Sequence, residues 1–186
     1  MTGPYGETRD FDAFVKRQQA LASEAAQHDW AKERDEWLDR LNELYTNIED
    51  YLGNYIRDGA VSCNYRDISL TEEDLGCYQA REMVIKIGLQ QITLKPLGTM
   101  FIGTKGLVEV VGVAGDAMLT LVNSKLSRRM IKIRTAFGGK IELPGQNIEP
   151  TQISWSWKIQ TKPPQIEYVE LTKDSFLNLL MEVSNG

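Results

Sequence analysis

The sequence predicts an α+β fold: an N-terminal long helix or helical hairpin, then an antiparallel β-meander closed by a C-terminal helix. Three observations carry this. Between Asp10 and Arg57 there is no proline and one glycine, Gly53, and apolar residues recur there at helical spacing. From Met83 to Arg134, apolar and polar residues alternate and glycines cut the run at intervals, the pattern of short paired strands. Near the end, Phe176, Leu179, Leu180 and Val183 form one helical stripe. A bent sheet or partly open barrel with the last helix at one end would bury this pattern. The chain divides on this reading into a helical arm, 1–59, and an antiparallel β domain with its C-terminal helix, 60–186.

The arm holds the strongest periodicity. Trp30 and Trp37 are followed by Leu41, Leu44, Ile48, Tyr51 and Tyr55, at steps of 4, 3, 4, 3 and 4 residues. That is the seam along which helices pack. Leu38, Tyr45 and Leu52 widen it. A helix from Trp30 to Arg57 is about 40 Å long at 1.5 Å per residue, and Gly59 suits its end. Upstream, Phe11, Phe14, Val15, Leu21, Ala22 and Ala25 make a weaker stripe, with Gln27-His28-Asp29 as the break between the two. The seam Trp37, Leu41, Leu44, Ile48, Tyr51 and Tyr55 is the expected interaction surface, for a second copy of the chain in particular. The competing reading packs it on the chain's own sheet.

Strands are expected at Val61–Leu70, Met83–Ile87 and Ile92–Lys95. Pro96-Leu97-Gly98 should end the last of these, because proline cannot donate to a ladder. A short strand at Met100–Ile102 and a nearly all-apolar central strand at Leu107–Val111 follow. Gly115-Asp116 reads as a hairpin turn, and Ala117, Leu119 and Leu121 alternate with polar neighbours after it. Ile131 and Ile133 alternate with Lys132 and Arg134, and Lys140–Leu143 suggests a brief strand in a loop-rich stretch. Ile153, Trp155, Trp157 and Ile159 share one face, which marks the tryptophans as core and not as a stacking platform. Ile166–Val169 makes a last strand, and Thr172 caps the final helix.

The chain of 186 residues carries a net charge of −5, unevenly spread. Residues 1–60 hold 13 acidic and 7 basic side chains, whereas the remainder holds 13 and 14. This balance disfavours wholesale coating of nucleic acid. No apolar run reaches the roughly 18 residues of a membrane span, and none follows the N-terminus as a secretory signal would, so a cytoplasmic protein with no membrane partner is expected. Cys63 and Cys77 read as free thiols. With His28 the only histidine, the usual zinc ligand sets cannot be assembled; no metal and no cofactor are expected.

The least expected bias lies between Ala117 and Lys140. It contains six basic residues and no acidic one: Lys125, Arg128, Arg129, Lys132, Arg134 and Lys140. Lys125, Arg128, Arg129, Lys132 and Arg134 are the candidate anion-binding residues, and Lys86, Lys95 and Lys158 are expected on the same outward sheet face. Such a face suits a phosphate-containing ligand or an acidic protein patch. Gly103-Thr104-Lys105-Gly106 resembles the Gly-x-x-Gly loop by which some RNA-binding domains bring amides to phosphates. That loop joins two helices, whereas apolar β-type runs flank this one, so it reads as a hairpin turn. Glu109, Asp116 and Lys125 have only a generic spacing for a metal-dependent nuclease core.

No catalytic residue emerges. The expected function is a non-enzymatic protein-interaction or oligomerisation module, self-associating through the helical arm. A phosphate- or nucleic-acid-directed enzyme using the basic sheet face is the alternative, and small-molecule binding in the bent sheet the second.

Overall fold

The computed structural model describes residues 9–27, 29–99, 104–124, 154–162 and 166–185. Helix α1 (Arg9–Gln27) and helix α2 (Trp30–Arg57) are separate, the break falling at the Gln27-His28-Asp29 stretch. Asp29 caps α2: its carboxylate accepts from the Lys32 N–H at 3.0 Å, satisfying one of the helix's unpaired donors. At the other end Gly59 adopts φ +73°, a conformation that glycine enters without steric cost. The Ala60 N–H then reaches back to the Tyr55 carbonyl (2.9 Å) and the Gly59 N–H to the Ile56 carbonyl (3.0 Å). These two bonds form a Schellman stop.

Seven strands follow among the described residues: β1 (Val61–Glu72), β2 (Gly76–Ile87), β3 (Gln90–Gly98), β4 (Gly106–Val111), β5 (Asp116–Asn123), β6 (Trp155–Gln160) and β7 (Tyr168–Glu170). They form one open antiparallel sheet in chain order, each strand paired with the next. Helix α3 (Lys173–Asn185) closes the chain. Thr172 and Ser175 cap it reciprocally, the Ser175 N–H donating to Thr172 Oγ1 at 3.2 Å and the Thr172 N–H to Ser175 Oγ at 2.8 Å.

The meander starts earlier than the alternation of Met83 onward indicates. β1 and β2 pair without a slip from Val61↔Ile87 to Glu72↔Gly76, while β3 pairs only with Met83–Ile87. The half of the hairpin nearer its tip is therefore a two-stranded ribbon. Along β2 the alternate residues Tyr78, Ala80 and Glu82 are buried, and then Met83, Val84 and Ile85 in succession. One side of the ribbon is thus covered towards its tip, and both even and odd positions are covered where β3 joins.

Pro96 does not end its strand. It lies within β3 opposite Val108, and the register shifts between Pro96 and Gly98, where Gly98 takes φ +112°. A bulge accommodates the missing donor. The ribbon tip docks onto this irregularity: Glu72 Oε2 accepts from the Thr99 N–H (2.8 Å) and hydroxyl (2.9 Å), and Glu72 Oε1 accepts from the Tyr78 hydroxyl. The expected strands at Met100–Ile102, Ile131–Arg134 and Lys140–Leu143 lie outside the described residues.

The core is continuous across helices and sheet. Trp37, Leu41, Leu44, Tyr45, Ile48 and Leu52 of α2 pack with Met83, Ile85, Ile92, Leu94, Val108, Val110, Leu119, Leu121 and Trp157 of the sheet. Phe176, Leu179, Leu180 and Val183 of α3 complete it. Tyr51 and Phe176 join the two helices at a ring separation of 6.2 Å. A division between 1–59 and 60–186 runs through this core, since α2 is part of it. No helix of the described residues is long and apolar enough to cross a membrane.

Candidate functional site

The seam on α2 is spent largely on the fold. Trp37, Leu41, Leu44 and Ile48 are buried against the chain's own sheet. Tyr51 is half-buried on Phe176, and of the six seam residues Tyr55 alone is exposed. The expectation that these residues present a surface to another molecule is corrected accordingly. A wide apolar face at helical spacing records burial, and here the sheet supplies it.

Helix α1 is different. From Phe11 to Ala20 every side chain is exposed except Val15, which is half-buried. Phe11 is 66% and Phe14 54% exposed, and their rings stack with centroids 6.2 Å apart and planes inclined by 29°. Two phenylalanines one turn apart thus form an aromatic ridge on the part of α1 whose described side chains lie outside the core. Burying the part of each still exposed would contribute about 1–2 kcal/mol.

A second uncovered apolar surface lies at the far end of α2. Leu52 and Tyr55, Val61 and Ile87 of the sheet, and Leu177 and Met181 of α3 line a groove of about 360 Å³. Tyr55 and Met181 stand exposed at its rim, and Leu89, in the turn beside it, is fully exposed. None of its described lining residues carries a charge.

The charged groups of α2 gather at its other end, in a cleft of about 410 Å³ floored by Trp37 and Trp155. Glu33, Glu36, Asp39 and Glu43 line it. Two cations are already held there. The Lys105 ammonium pairs with Glu33 and lies 5.9 Å from the centre of the Trp155 ring, and Arg40 pairs with Glu43 at 2.8 Å. Lys105 is therefore anchored in an acidic cleft. Its N–H donates to the Leu121 carbonyl (2.9 Å) and Gly106 opens β4, which is the hairpin context and not the helical one.

Of the expected basic face, Lys86 and Lys95 are exposed. Lys158 is corrected: it is 1% exposed and its ammonium pairs with Glu170 on the neighbouring strand. Lys125, Arg128, Arg129, Lys132 and Arg134 lie outside the described residues, as do His28 and Lys140. Glu109 is half-buried in β4, opposite Lys95 and Met118. Asp116 is exposed and its carboxylate is 3.8 Å from the Lys162 ammonium. Among the described residues, no group of three or more His, Cys, Asp or Glu side chains is placed to hold a metal. Cys63 is half-buried and Cys77 exposed, both as free thiols. Reasoning from sequence missed the groove, whose walls come from five separate elements, and the acidic cleft, whose carboxylates were visible only as a charged helix.

Comparison with family models, with curated proteins and with solved structures gives no match to this chain.

Proposed function

We propose that this chain is a protein-interaction module, in which an α+β domain with its own core presents α1 as a docking helix, and that a second copy of the chain is its first partner. The observation that carries this reading is the exposed Phe11–Phe14 ridge. None of the described α1 side chains, Phe11 to Ala20, belongs to the core that α2 and α3 share with the sheet. Apolar surface left in water at this density is characteristic of a contact site. The reading keeps the helical arm as the interacting element but moves the contact from α2 to α1.

Light scattering on the full chain across a wide concentration range tests it. The expected result is a mass rising from the 21.1 kDa of one chain towards twice that value. The double variant Phe11→Ser/Phe14→Ser should hold the single-chain mass throughout. A parent chain that stays at 21.1 kDa at every concentration removes self-association. The alternative of a phosphate- or nucleic-acid-directed enzyme rests on Lys125, Arg128, Arg129, Lys132 and Arg134 and gains no support from the described sheet face, where Lys158 is buried.

A further inference from the structure

We draw no further inference here: the strongest candidate, the acidic cleft between α2 and strands β5 and β6, floored by Trp37 and Trp155, is a cluster of carboxylates whose described cations, Lys105 and Arg40, are the chain's own, and nothing in the structure points to a ligand there.

Discussion

Trp37 on α2 and Trp157 on β6 meet with ring centroids 6.0 Å apart and planes inclined by 48°. The Trp157 indole N–H also donates to the Arg40 carbonyl at 3.2 Å, one turn further along the same helix. The helix is thus fastened to the sheet by an aromatic contact and a hydrogen bond from one residue. Trp157→Ala removes both, and truncating a buried aromatic costs about 3–5 kcal/mol, a large share of the 5–15 kcal/mol typical of a whole domain. Trp155 lies two residues away and only half-buried, with Lys105 over its ring. Its alanine variant should lose about 1 kcal/mol, the order of an exposed cation–π contact plus partial burial. Thermal melts of the two variants separate them; equal losses would mean that Trp155 contributes to the core as Trp157 does.

Gly106 makes the same junction tight from the other side. A Cβ built at this position would overlap the six-membered ring of Trp37. That ring is buried and packed on Trp157, so it can yield only by giving up that contact. Overpacking of this kind typically costs 1–3 kcal/mol, and Gly106→Ala should lower the denaturation midpoint by a corresponding amount. Gly88, with nothing within 4 Å of such a Cβ but φ +58°, should respond only through backbone strain. If Gly106→Ala were neutral, α2 would have to shift relative to β4, which the quenching of tryptophan fluorescence would register.

What could be read beforehand follows from how local each cause is. The steps from Trp37 to Tyr55 report one helix and one buried face, and α2 has both. The alternations at Ile92–Lys95 and Ala117–Leu121 report strands, as does Leu107–Val111. The partner of a buried face is not a local property, and so the α2 seam could not reveal that its own sheet covers it. The tip half of β2 was illegible because the side it buries, Tyr78, Ala80 and Glu82, includes a carboxylate and one small residue, and only at Met83 does burial become continuous. Lys158 alternates as an outward residue does. It is buried because Glu170 sits opposite it, on a strand of three residues that periodicity barely marks. Of the uncovered apolar surfaces, the Phe11–Phe14 stripe was visible in the sequence as a weak helical pattern, whereas the groove between α2 and α3 requires the fold.

The Lys158–Glu170 pair is asymmetric, and its variants should be too. Lys158 is 1% exposed, while the Glu170 side chain is 64% exposed. Removing the carboxylate with Glu170→Ala leaves a buried ammonium uncompensated, a loss of about 3–5 kcal/mol by comparison with other broken buried pairs. Lys158→Met removes the charge that must be desolvated and keeps the apolar stem, so it should be neutral or stabilising. Denaturant midpoints of the two single variants and the double variant close the cycle. Equal, small losses from both would mean that water reaches the Lys158 ammonium.

Alkaline pH should destabilise this protein through one half-buried thiol and three phenols whose pKa values the fold raises. Burial first, and then the charge of Glu49, pushes Cys63 up to about 11 from an ordinary 9.0. Burial also raises Tyr45, Tyr65 and Tyr78 well above their ordinary value of 10.0, helped at Tyr65 by its hydrogen bond to Glu49 and at Tyr78 by that to Glu72. The native state therefore keeps protons that the unfolded chain has released. With fewer protons bound in the unfolded state, stability must fall as pH rises. The contribution of Cys63 is complete below its unfolded pKa and is lost between about pH 9 and 11, and the tyrosines extend the loss above pH 10. Urea midpoints measured at one-unit steps from pH 7 should be level at first and decline above pH 9, with Cys63→Ser removing the earliest part of the decline. The thiols offer a second readout, since only a thiolate is alkylated. Near pH 8, exposed Cys77 should react readily and Cys63 slowly, with the rate at Cys63 climbing towards pH 11. A midpoint that stays constant or rises through pH 11, or equal rates at the two thiols, would show that Cys63 is not shielded by the α2–β1 packing.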